Sequence, residues 1–158
     1  MNKDAIWTAL HQIMDPEIPA VSLIDMGIIR DVESDDDTIT VTMTPTFSGC
    51  PALLEMQTLI RERLAEIGYA QVEVQTQFNP PWTSDWITED GRRKLKEFGL
   101  TPPRIHQGNV EIILYDQANC PYCDSTRTTL KNNFGSTLCR AIYYCNACQQ
   151  PFEGFKAL

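Results

Sequence analysis

Five of the six cysteines lie in the last thirty-nine residues, as Cys120-Pro121-Tyr122-Cys123, Cys139 and Cys145-Asn146-Ala147-Cys148. Two Cys-x-x-Cys pairs with twenty-one residues between them constrain this chain more than any other feature. Each pair makes a tight knuckle that aims two thiolates at one ion. Two knuckles joined by a hairpin close a tetrahedral four-sulfur site, the arrangement of a zinc ribbon. Five thiols exceed four tetrahedral positions. Cys120, Cys123, Cys145 and Cys148 are the expected structural zinc set, and Cys139 is surplus or a competing ligand. Soft thiolates also suit iron–sulfur clusters, so a cluster in the ribbon stays open as the alternative.

The charge is split along the chain. Residues 1–100 carry eight Lys/Arg and seventeen Asp/Glu, a net of −9, whereas residues 101–158 carry five and four, a net of +1. An acidic front half argues against a nucleic-acid partner, because phosphate backbones demand a basic footprint. Length allows one medium domain or two small ones, and the split favours two. No apolar run approaches the length of a membrane span and no signal-peptide pattern opens the chain, so a soluble cytoplasmic protein without a membrane partner is expected. Cysteines at this spacing in such a compartment point to metal or thiol chemistry before disulfides.

The local patterns describe an α+β protein. Residues 4–14 place Ile6, Leu10, Ile13 and Met14 on one helical face, ended by Asp15-Pro16. A strand is expected over 27–32, an Asp35-Asp36-Asp37 turn, and a return strand over 38–44 with Ile39, Val41 and Met43 toward the core. Residues 51–67 repeat apolar side chains at helical spacing (Leu53, Met56, Ile60, Leu64, Ile67) before a Gly68 stop. A third strand follows over 71–76, then a helix capped by Ser84 or Asp85 and running to Phe98. Gly99–Pro103 reads as a linker, which puts a two-layer α/β domain at 1–102 and a β-rich ribbon at 103–158 with strands at 110–115 and 141–144.

The isolated thiol, Cys50, stands in Ser48-Gly49-Cys50-Pro51, where an alternating strand gives way to a helix. With Pro51 at the first helical position, Cys50 is expected as the N-cap, facing unpaired N–H groups that favour thiolate. A small buried residue between strand and helix is the plainer reading. No histidine neighbours Cys50, and His11 and His106 are isolated, so a Cys–His hydrolase is not supported. Asp15 and Glu17 are carboxylates on a rigid turn, where capping is their ordinary task.

Asp15-Pro16-Glu17-Ile18-Pro19, Ser22 to Ile29, Thr44 to Pro51 and Pro80-Pro81-Trp82-Thr83 occur in this order. Together they resemble the metal–sulfur cluster biosynthesis domain of SufT-like proteins and cytosolic iron–sulfur targeting factors. With the C-terminal ribbon added, including Phe134-Gly135-Ser136-Thr137 and Cys139, the chain resembles the PaaD family, proteins associated with bacterial phenylacetyl-CoA epoxidase. The resemblance implies a non-catalytic accessory role in phenylacetate degradation, assisting iron–sulfur or di-iron centre assembly in a multicomponent oxygenase. A structural or coupling subunit of that oxygenase is the alternative it leaves. By position, Cys50 takes the place of the family's motif cysteine, where iron or a cluster would be held transiently, and Asp15 that of its motif aspartate. The implied partners are the epoxidase reductase, the oxygenase subunits and iron–sulfur assembly proteins; oligomeric state is not implied.

Overall fold

The computed structural model describes residues 2–35, 38–109 and 117–158. The expected strand at 110–115 and most of the Asp35–Asp37 turn lie outside the described residues. The chain divides into two compact units, Met1–Trp82 and Thr83–Leu158. The split in charge follows this division, because thirteen of the acidic residues and only four of the Lys/Arg precede Thr83.

In the first unit, helix α1 (Lys3–Leu10) starts on Asn2, whose side chain accepts from the N–H groups of Asp4 and Ala5. Strands β1 (Ile29–Asp35) and β2 (Thr38–Met43) pair antiparallel, and helix α2 (Leu53–Glu66) crosses over to β3 (Gln71–Thr76), which lies parallel to β2. A parallel neighbour needs such a crossover, and the apolar spacing of α2 supplies it. The three-stranded sheet has the order β1-β2-β3. Ile39, Val41 and Met43 are buried, as strict alternation requires, and Met56, Ile60 and Leu64 of α2 are equally enclosed. Gly68 ends α2 with φ +97°, a conformation other residues adopt only at a cost.

The C-terminal ends of α1 and α2 differ from the pattern. Helix α1 stops at Leu10 rather than at Met14, which is 46% exposed and bridges Ser22 instead. Ile67 lies at the C-cap of α2 and is exposed, because the helical face turns away from the sheet there.

Residues 11–28 form a largely buried loop whose polar groups are satisfied locally, as burial demands. The Asp15 carboxylate accepts from the N–H groups of Glu17 at 2.7 Å and Ile18 at 2.9 Å. Ser22 and Asp25 cap each other's backbone, at 3.1 and 3.0 Å. Leu23 N–H reaches the Ile13 carbonyl, and Thr44 N–H reaches that of Ile28. Trp82, 5% exposed, donates its indole N–H to the Met26 carbonyl at 2.9 Å, tying residues fifty-six apart.

The second unit begins earlier than the proline-rich stretch suggests. Its first helix is interrupted: a 3-10 turn (Ser84–Trp86) is followed by extended Ile87 and Thr88, and α3 (Glu89–Glu97) starts there because the Thr88 hydroxyl caps Gly91 N–H at 2.9 Å. The expected linker is instead partly a strand. β4 (Leu100–Thr101) pairs with β7 (Pro151–Phe155), so residues just before position 102 belong with the C-terminal sheet. With β5 (Thr128–Asn132) and β6 (Arg140–Cys145) the sheet order is β4-β7-β6-β5.

Replacing Trp82 tests the tie across the first unit. Trp82→Ala should lower stability by about 3–5 kcal/mol through lost packing. Trp82→Phe should lose about 1 kcal/mol from the missing bond to Met26 plus a smaller packing loss. Urea denaturation midpoints read both; an unchanged midpoint for Trp82→Ala would show that the indole is not a structural tie.

Candidate metal centre and the Cys50 turn

Four cysteines from two turns converge in the second unit. Cys120 and Cys123 bracket the turn that precedes β5, while Cys145 ends β6 and Cys148 lies in the turn before β7. The two knuckles repeat one backbone pattern. Asp124 N–H bonds the Cys120 carbonyl and Cys120 N–H bonds that of Ser125; Gln149 N–H bonds the Cys145 carbonyl and Cys145 N–H bonds that of Gln150. The fifth residue of each, Asp124 at φ 57° and Gln149 at φ 60°, turns left-handed so the chain can reverse around the thiols.

The four sulfur atoms all lie within 4.8 Å of one another. Cys120 to Cys148 and Cys123 to Cys145 are each 3.6 Å apart. Disulfides would require about 2.05 Å, whereas a tetrahedron with metal–sulfur bonds of about 2.3 Å has edges near ~3.8 Å. The donor set therefore fits a tetrahedral, thiophilic divalent ion. Cys120 and Cys145 are buried, and Ala118, Phe152, Tyr143 and Cys148 pack around them. The surroundings already distinguish the thiols. The N–H groups of Cys148 and Ala147 draw Cys145 down to about 6, and burial together with the adjoining thiols pushes Cys148 up to about 12. A bound cation would deprotonate all four.

Cys139 is not in this group. It is 3% exposed, and its sulfur lies 3.0 Å from the Thr137 hydroxyl oxygen in the turn leading to β6.

Cys50 is half-buried, but it is not the N-cap of α2. Two turns in series separate them: Cys50 N–H bonds the Phe47 carbonyl, and Leu53 N–H bonds the Cys50 carbonyl, both at 3.2 Å. Ala52 takes the cap position without a side-chain bond, and the first helical bond runs from Met56 N–H to its carbonyl. Pro51 thus sits in the turn rather than at the first helical position. The thiol lies on a tight, proline-braced turn just ahead of the helix. Asp15 has its carboxylate engaged by backbone N–H groups, the capping role open to any aspartate on such a turn. His11 is an exposed helix end, and His106 is buried, with Nδ1 accepting from Gly108 N–H and Nε2 3.0 Å from the Leu158 carbonyl. The buried Ser22–Asp25 exchange and the Trp82 tie escape sequence reasoning about chemistry. An S-x-x-D spacing was the available signal for the first.

An α/β unit with a cysteine on the turn before its crossover helix, followed by a β-ribbon in which four cysteines converge, defines a two-unit protein with a candidate metal site in its second unit. The sequence matches two family models: an iron–sulfur cluster assembly protein over residues 3–75 and the PaaD zinc beta ribbon domain over residues 111–156. It is 42% identical, over 97% of this chain and 92% of the relative, to an Escherichia coli (strain K12) protein named as a component of 1,2-phenylacetyl-CoA epoxidase. The chain belongs to the PaaD family. The chain is also 38% identical to the Bacillus subtilis (strain 168) Fe-S protein maturation auxiliary factor YitW, over 52% of this chain and 82% of that protein. A crystal structure of a DUF59 domain from Bacillus anthracis superposes with a TM-score of 0.55 at 25% identity, over 59% of this chain and 90% of that one.

Cys120→Ser or Cys148→Ser should abolish metal binding and cost the second unit stability on the order of 10 kcal/mol, leaving the first unit folded. Cys139→Ser should retain one metal ion per chain. Metal analysis with proteolysis of each variant checks both, and metal loss in Cys139→Ser would place that thiol in the site.

Proposed function

We propose that this chain is an accessory maturation protein that helps assemble an iron–sulfur or di-iron centre in a multicomponent phenylacetyl-CoA epoxidase. One observation carries the reading: the front unit matches iron–sulfur assembly and maturation proteins, while the whole chain matches a protein named as an epoxidase component.

In this reading the two units have separate tasks. The ribbon holds zinc through Cys120, Cys123, Cys145 and Cys148, and the ion closes the fold rather than reacting. Cys50 contacts the cargo. Its half-buried position lets a soft thiolate replace one ligand of iron or of a cluster and release it again. Backbone bonds on either side of Cys50 brace its turn and so fix where the thiol meets the cargo. The buried loop with Asp15 keeps the adjoining chain rigid, so Asp15 serves positioning. The clients are the epoxidase reductase or oxygenase subunits, and cargo comes from iron–sulfur assembly proteins.

A second reading, a stoichiometric coupling subunit of the oxygenase, draws on the same relative's name and on a match that runs through both units. Deleting the chain separates the two. Maturation predicts epoxidase components that still assemble but lack iron; coupling predicts full iron with lost turnover. Cys50→Ser should fold, keep its zinc and leave client iron at the level of the deletion strain. Full client iron with Cys50→Ser would remove the thiol from the mechanism.

A further inference from the structure

The stretch from Phe134 to Cys139, joining β5 to β6, is held far more firmly than its exposure requires. Beneath it lies an ion pair: Arg140, with its side chain 8% exposed, reaches Glu153 at 3.2 Å and the Ser136 hydroxyl at 3.0 Å. Glu153 also accepts from Ser136 N–H at 2.6 Å and from its hydroxyl at 3.0 Å. Gly135 N–H bonds the Arg140 carbonyl, and a Cβ at Gly135 would stand 2.6 Å from a Glu153 oxygen, so a side chain there must displace the carboxylate from the clamp. Lys156 closes the other side, donating to the Leu138 carbonyl at 2.7 Å with its ammonium 5.2 Å from the centre of the Phe134 ring.

What this frame presents is apolar. Phe134 is 62% and Leu138 56% exposed. An ion pair with one buried and one partly exposed member adds little to stability, whereas it fixes geometry. Rigid apolar side chains lose little ordering entropy on association, which is the property of interface anchors. The sequence on either side of them is mostly basic. Residues 125–158 contain four Lys/Arg and a single acidic residue, Glu153, which is engaged by Arg140.

We propose that this hairpin end is a docking surface for a folded protein that presents an apolar patch rimmed by carboxylates. Phe134 and Leu138 enter the patch, while Lys131 and Lys156 meet the acidic rim. The opposite sign around the anchors selects the partner and speeds encounter, and the clamp removes the cost of ordering the loop. The partners to probe follow from the accessory role proposed for the chain: the purified reductase and oxygenase components of the cognate epoxidase.

Binding of the full zinc-loaded chain to each component, by calorimetry at low and high salt, tests the surface. One component should bind, more weakly at high salt. The double variant Phe134→Ser/Leu138→Ser should bind about tenfold more weakly or worse, with zinc content and circular dichroism unchanged. Gly135→Ala should weaken binding while keeping both anchors, and Ile105→Ser, at a site 57% exposed in the same unit, should leave it unaltered. Equal binding by the double variant and the wild type overturns the proposal. So does self-association that the double variant loses, which makes a second copy the occupant, or tighter binding to single-stranded RNA lost in the same variant. Failure of the wild type to bind either component also overturns the docking surface, and the accessory role is then judged separately by client iron in the deletion strain.

Discussion

Four sulfurs aimed at one point are the constraint on which the second unit depends. Its knuckle core comprises Ala118, Cys120, Cys145 and Phe152, with Tyr143 and Cys148 against them, so half of those six residues are metal-site thiols. Residues 129–132 of β5 are exposed, and the stacked Tyr143 and Phe152 rings, 5.5 Å apart, are among the few large apolar contacts there. The rest of the unit buries Leu95, Leu100, Ala141 and Phe155, but around the knuckles themselves little apolar surface is available to offset the entropy of the strands. Metal–thiolate bonds would add to that offset, and two knuckles with the same hydrogen-bond pattern set their thiols toward one point.

The first unit solves a different problem. Its sheet and α2 bury a full set of aliphatic side chains, the ordinary hydrophobic source of folding free energy. The burden falls on the loop over residues 11–28, which is mostly buried although it is neither helix nor strand. Buried irregular backbone survives only where its polar groups are paired. Asp15, the Ser22–Asp25 exchange and the Trp82 indole provide those pairs from side chains. These residues satisfy the backbone of the frame, and Cys50 sits on a turn shaped by backbone bonds.

Much of this was legible in the sequence where one physical period dominated. Alternation at Thr38–Met43 and helical spacing at Leu53–Leu64 located the sheet and its crossover helix, and Cys-x-x-Cys spacing located the four sulfurs. The failures occurred where tertiary contacts chose between local options. Pro51 suits a first helical turn, yet two consecutive turns displace the helix start to Leu53. Gly99–Pro103 has linker composition, yet Leu100 and Thr101 find a partner in β7 that no local pattern announces. Trp82 lies fifty-six residues from Met26, and a single bond at that separation leaves no periodic trace.

The register of β6 on β7 links the metal to the hairpin end. Arg140 stands opposite Phe155 and Ile142 opposite Glu153, so Arg140 and Glu153 are diagonal neighbours on one face. Cys145 ends β6 and Cys148 lies just before β7, so a metal that draws these thiols together pins the turn between the two strands. A slip of one residue would send Glu153 to the opposite face and leave Arg140 buried without its carboxylate. The metal thereby holds the clamp beneath Phe134 and Leu138 without touching it, through strand pairing alone. An ion bound by these four thiols would therefore bear on whether Phe134 and Leu138 are presented on a fixed loop or released with it.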